Sequence, residues 1–212
     1  MRLRIEWLGR VPYAEAHARQ KELLAARIAG DGPDTLLLCE HDPVYTLGRS
    51  RGASANVLQA GDVPVVNVER GGDVTFHGPG QLVGYPICGL PEHRHDLHAW
   101  LHGLEEVCVR TLGEWGIAGG PDARNTGVWV EGQKIAAIGI ACRRWVTWHG
   151  FAINVRTDLS YFGRINPCGM DSALVTSMDQ HLDKPPRLVE VRDAAGAAFR
   201  SWWRAWSAPV GA

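Results

Sequence analysis

Residues 127–155 read GVWVEGQKIAAIGIACRRWVTWHGFAINV, three apolar segments separated by short polar breaks. Segments 127–130, 134–141 and 146–155 are rich in the β-branched and aromatic residues that suit a pleated, half-buried surface. Glu131-Gly132-Gln133 is too short for a crossover helix, so the first two segments are predicted to pair through a tight turn. The whole stretch reads as an antiparallel meander.

Outward from it, strands are expected at 35–39, 44–47, 64–68 and 81–88, with a further one at 173–177. Helices are expected at 12–29, with Pro12 as a first helical residue, at 96–115 with Asp96 as cap, and at 189–206. Residues 157–170 read as an irregular loop. Because strands and helices mix without strict alternation, the predicted fold class is α+β (mixed α/β), one domain over 1–212 with a mainly antiparallel mixed sheet flanked by helices.

Composition narrows the function classes. Hydrophobic residues at 45% and charged residues at 21% are typical of a folded globular chain, and a net charge of −1 does not favour a nucleic-acid binder. The longest apolar runs, 36–39 and 135–142, fall far short of the ~20 residues that span a bilayer. Charges within residues 1–5 do not suit a signal peptide, so a cytoplasmic protein without a membrane partner is expected. Cys39, Cys88, Cys108, Cys142 and Cys168 include no Cys-x-x-Cys, which suggests neither a disulfide framework nor a metal site. Four lie in apolar periodic segments, whereas Cys168 sits in an Asn-Pro-Cys-Gly loop.

The densest polar signal is Arg70-Gly71-Gly72-Asp73-Val74-Thr75-Phe76-His77-Gly78-Pro79-Gly80-Gln81. Its glycines suit a loop whose backbone amides approach a ligand closely, and it lacks the lysine of a phosphate-binding loop. Extended to Tyr85 as RGGDVTFHGPGQLVGY, it resembles the signature of the lipoyl(octanoyl) transferases. Three further segments resemble that family in the same order: Gly132-Gln133-Lys134-Ile135-Ala136-Ala137-Ile138-Gly139, His149-Gly150-Phe151-Ala152-Ile153-Asn154-Val155 and Ile165-Asn166-Pro167-Cys168-Gly169. Phe76 stands where many members carry tyrosine.

The resemblance implies the biotin/lipoate protein ligase catalytic fold. It also implies transfer of an octanoyl group from octanoyl-acyl carrier protein to a lysine of lipoyl domains, those of 2-oxoacid dehydrogenase complexes and of the glycine cleavage H protein. Cys168 would be the acyl-thioester nucleophile and Lys134 its activating partner. Acyl contacts would come from Arg70, Gly71, Gly72, Asp73, Val74, Thr75, Phe76 and His77, from Ala137, Ile138 and Gly139, and from Gly150, Phe151 and Ala152. No cofactor is implied, neither ATP nor metal, because the acyl group arrives as a thioester on the carrier's phosphopantetheine.

The chemistry is coherent on its own terms. A free thiol is only a few per cent thiolate at neutral pH, and a lysine ammonium about 4 Å away at an effective dielectric of ~20 contributes roughly 4 kcal/mol toward the ionised form. An apolar slot formed by Ile138, Phe151 and Phe76 would bind acyl methylenes at ~0.8 kcal/mol each. His77 and His149 are open between substrate contact and ordinary hydrogen bonding. His95, His98 and His102, with Glu105, are read as a solvated helix face, and Arg49, Arg51, Arg143 and Arg144 as a basic rim for acidic carrier domains. The alternatives are an ATP-dependent lipoate or biotin ligase and a non-catalytic binder of carrier or lipoyl domains.

Overall fold

The computed structural model describes residues 3–166 and 172–209. The predicted meander forms β8 (Asn125–Val130), β9 (Gln133–Arg143) and β10 (Val146–Asn154). Glu131 and Gly132, at φ 49° and 81°, make the first hairpin turn, while Arg144 and Trp145, at 51° and 59°, make the second. Paired left-handed residues give a turn whose twist matches that of the flanking strands.

These strands belong to a seven-stranded sheet of order β1-β2-β6-β10-β9-β8-β7. Its other members are β1 (Leu3–Val11), β2 (Asp34–His41), β6 (Gln81–Ile87) and β7 (Gly120–Asp122). Every pairing is antiparallel except β1 with β2. A second sheet joins β3 (Val44–Leu47) to β4 (Val65–Asn67) in parallel and to β5 (Val74–His77) antiparallel. This is the mainly antiparallel mixed sheet that the sequence predicts.

Three helices flank it: α1 (Tyr13–Ala29), α2 (Leu97–Gly113) and α3 (Leu188–Trp206). Asp96 caps α2 as expected, its Oδ1 accepting from the amides of His98 and Ala99 at 2.8 and 3.0 Å. Pro12 occupies the N-cap of α1 rather than its first turn. Alternate residues of β2 face opposite ways. Leu36 and Leu38 join an apolar layer with α2 and α3, while Leu37 and Cys39 pack with Ala16, Leu23 and Leu24 of α1.

Several expectations are corrected. β5 runs through the glycine-rich segment that reads as loop, because Val74 and Phe76 are buried beneath it and its backbone pairs with β3. Residues 173–177 form no strand: a short 3₁₀ turn covers Ser172–Leu174, and a single bridge joins Val175 to Lys134. Leu159–Arg164, within the predicted irregular loop, is a 3₁₀ helix.

Candidate active site

A cavity of about 400 Å³ opens where β9 and β10 meet the second sheet. In the β9–β10 register Ala137, Ile138 and Gly139 lie opposite Ala152, Phe151 and Gly150, so both predicted acyl-contact triplets form adjacent parts of one wall. Arg70, Gly71, Gly72, Asp73, Val74, Thr75 and His77 line the facing side. The loop at 70–72 is fixed by backbone and side-chain bonds alike. Gly71 N–H donates to the Ile140 carbonyl at 2.8 Å, and the Arg70 guanidinium donates to Thr46 O and Oγ1 at 2.7 and 2.9 Å. Asp73 accepts from its neighbour Val74 N–H at 2.6 Å and from Asn56 Nδ2 at 2.5 Å.

Phe76 departs from the expected acyl contacts. Its ring stacks on Tyr161 at 4.5 Å and packs with Tyr45 and Phe162, in an apolar cluster beside the cavity rather than in its lining.

Lys134, at the start of β9, is buried and lines the cavity. Its Nζ donates to Asn125 Oδ1 at 2.8 Å and lies 5.7 Å from the centre of the Trp129 ring. Gly127 makes this placement possible: its φ is 144°, and a Cβ there would lie 2.5 Å from Lys134 Cε and 2.4 Å from the Ala136 carbonyl. Glu105 of α2 holds the same glycine by accepting from its N–H at 2.9 Å. Glu105 therefore does not belong to the solvated helix face on which His98 and His102 lie exposed; it is buried, and His95 precedes α2 and stacks on Trp145 instead of sharing that face.

One end of the cavity is polar, and its histidines are uncharged. His77 Nδ1 bonds Gln81 Oε1 at 2.7 Å, and Gln81 in turn donates to Asn154 Oδ1 at 2.9 Å. Burial, reinforced by the neighbouring His41, lowers the His77 pKa to about 3. Burial, then His17 and Arg70, lowers that of His149 to about 3 as well. Both rings are neutral at pH 7, so an alkyl chain placed against them meets no buried imidazolium. Burial also raises the pKa values of Tyr13 and Tyr85, which keeps their hydroxyls protonated.

Cys168 lies outside the described residues, but the chain on both sides of it is anchored at the site. Asn166 N–H donates to the Asn56 carbonyl at 2.8 Å, and Asn56 holds Asp73. Beyond the interval, Thr176 N–H donates to the Lys134 carbonyl at 3.0 Å, and Val175 lines the cavity. Burial raises the pKa values of Cys39, Cys88, Cys108 and Cys142, leaving them protonated and poorly nucleophilic.

Sequence reasoning misses Asn125, Thr126 and Tyr13, which also line the cavity. Gln81, Tyr85 and Asn154 lie within the quoted motifs and could have been drawn from them, whereas nothing local marks Asn125 or Tyr13. Arg49, Arg51, Arg143 and Arg144 are exposed, and Arg49 and Arg143 border a second, outer groove together with Lys21. Among the described residues no helix is long and apolar enough to cross a membrane.

The mixed sheet and its flanking helices have the fold of lipoate and biotin protein ligases. Lipoate-protein ligase A bound with ATP superposes with a TM-score of 0.80 at 18% identity, over 96% of this chain and 86% of that one. The family profile "Lipoyl protein ligase A/B catalytic domain" matches residues 12–200. The octanoyltransferase of Geobacter metallireducens is 47% identical over 91% of this chain and 89% of its own length. That of Syntrophotalea carbinolica is 46% identical over 96% of both. The chain belongs to the lipoyl protein ligase A/B catalytic-domain family, among its octanoyltransferases, and is an acyltransferase.

Proposed function

We propose that the protein transfers an octanoyl group from octanoyl-acyl carrier protein to a lysine amine of a lipoyl domain, through an acyl thioester on Cys168. The observation that carries this reading is the convergence on one cavity of Lys134 and both anchored flanks of the Cys168 segment. The protonated state of the other four thiols leaves Cys168 as the cysteine suited to attack.

In the first half-reaction the Cys168 thiolate, stabilised by the Lys134 ammonium, attacks the thioester carbonyl. The carbonyl carbon's bond to the carrier sulfur breaks, and that sulfur leaves with the electron pair and takes a proton, for which Lys134 is the donor. In the second half the substrate amine attacks the acyl-enzyme, Lys134 accepts the amine's proton, and Cys168 leaves as thiolate. Asn125 orients Nζ for both steps. Backbone amides of the segment 70–77 are candidate donors to the developing oxyanion. The thioester arrives activated, so neither ATP nor a catalytic metal has a step to perform.

Residues 1–212 act in this reading as one catalytic domain, in the cytoplasm, where carrier and lipoyl domains would meet it. The lipoyl domains of 2-oxoacid dehydrogenase complexes and the glycine cleavage H protein are the acceptors to assay. Incubation with octanoyl-carrier thioester, followed by intact-mass measurement, should reveal one octanoyl adduct that a lipoyl domain removes. An adduct formed equally by Cys168→Ser, or transfer that demands ATP, would overturn the mechanism in favour of another nucleophile or an adenylating ligase.

A further inference from the structure

Three ligand-type atoms that take no part in the proposed proton transfers converge at the edge of the cavity, which His149 itself lines. Glu69 Oε2 lies 2.9 Å from His17 Nε2 and 3.7 Å from His149 Nε2. All three ligand atoms fall within 4.8 Å of one another, and no other such group occurs among the described residues. His149 is only 2% exposed, and its Nε2 has no hydrogen-bond partner. An unpartnered buried nitrogen is uncommon in folded proteins, and a bound ion is one partner that would satisfy it.

The ring is held in this position by its backbone. His149 has φ 55°, a left-handed conformation unusual within a strand, and its N–H donates to Gln20 Oε1 at 2.9 Å. His17 is placed from α1 and stacks on Trp148 at 5.7 Å, while Glu69 immediately precedes the loop that carries Arg70.

We propose that His17, Glu69 and His149 bind one divalent transition-metal ion, with zinc the best match to two imidazoles and one carboxylate. Glu69 borders the outer groove, from which a water molecule would complete a four-coordinate shell. Lys21 engages the other carboxylate oxygen, Oε1, at 3.4 Å, and is 54% exposed, so it leaves Oε2 to the metal. The ion would clamp α1, the residue before Arg70 and the strand carrying Gly150, Phe151 and Ala152. The ion takes no part in bond making at Cys168; because His149 also lines the cavity, metal binding and the unfolding midpoint, not transfer activity, separate the fate of this site from that of the proposed reaction.

The test is titration of the chelator-treated full chain with zinc against a chromophoric competitor, repeated with cobalt(II) for its absorption spectrum. The expected result is one equivalent of metal, a cobalt spectrum without a thiolate charge-transfer band, and a zinc-dependent rise in the thermal unfolding midpoint. His17→Gln and Glu69→Gln should each weaken binding at least tenfold and abolish the midpoint rise. Both side chains are partly exposed, so these variants should fold, as their midpoints without zinc will verify. His149→Asn, which tolerates the left-handed backbone, provides a third variant. Absence of binding, a thiolate band, or equal affinity in the variants would overturn the site.

Discussion

The molecule's two main packing regions are built by opposite rules. Between the sheet and helices α2 and α3, Trp100 contacts Phe199, Trp202, Trp203 and Trp206, and the layer is almost wholly apolar. Gly103 permits the close helix contact, since a Cβ there would lie 1.9 Å from the Trp202 ring. Around the cavity, by contrast, buried Arg70, Lys134, His77, Gln81 and Asn154 are held in hydrogen-bonded positions about an empty space. Apolar packing of the first kind supplies folding free energy, whereas a buried polar network of the second kind contributes little net stability and specifies geometry. The difference implies that stability and transfer are separable by mutation.

Lys134→Ala should separate the two regions most clearly. Losing both counter-charge and proton carrier should lower transfer by ~10²–10⁴-fold, roughly 3 to 5 kcal/mol in the activation barrier. Urea unfolding should shift far less, and a comparable loss of stability would show that the polar region also supports the fold. Trp100→Ala is the complementary change: deleting its fully buried ring should cost about 3 to 5 kcal/mol in urea unfolding. Acyl-enzyme formation per folded molecule should stay near normal at low temperature, and a proportionate loss would join the two regions functionally.

Gly127→Ala tests a position where the regions meet, because Glu105 of α2 holds the backbone around which Lys134 folds. The added Cβ would meet the Ala136 carbonyl at 2.4 Å and the lysine stem at 2.5 Å, at a backbone φ of 144°. Overpacking of this kind should cost roughly 1 to 3 kcal/mol of stability. It should also slow transfer by displacing Nζ from Asn125. Unchanged transfer would mean that the Lys134 rotamer is not critical.

What was legible in the sequence follows the same division. The meander, the Asp96 cap and the terminal helix announce themselves through local periodicity and capping chemistry, which the fold then preserves. β1 contains no fully buried residue and pairs along only one edge, so its alternation is weak and it escapes a pattern search. β5 is a strand because β3 lies beside it, a fact no local window contains. At the site, the motif-borne residues Arg70, Lys134 and Phe151 were identifiable from the family resemblance and all line the cavity. Phe76 lies outside the lining because residue type reveals that a ring will be buried but not which of two adjoining apolar spaces it enters. Asn125 was missed for a related reason: its partnership with Lys134 depends on the hairpin that brings two strands together.

The smallest effect concerns protons. His77 belongs to the polar region, yet it is buried as fully as a core residue, and its pKa falls from 6.5 to about 3 on folding. The unfolded chain therefore binds a proton that the native state refuses between those values, so the contribution is complete above pH 6.5 and is lost progressively as pH falls toward 3. Over the first pH unit below 6.5 this amounts to about 1 kcal/mol. Urea unfolding of the native chain should show at least that loss, because His149 adds to it in the same direction, and His77→Gln, which cannot titrate, should flatten the slope by the His77 share. An unchanged slope in the variant would mean that His77 is hydrated or charged in solution. The cavity's inner end would then be an ionic site instead of the neutral surface on which an alkyl chain can rest.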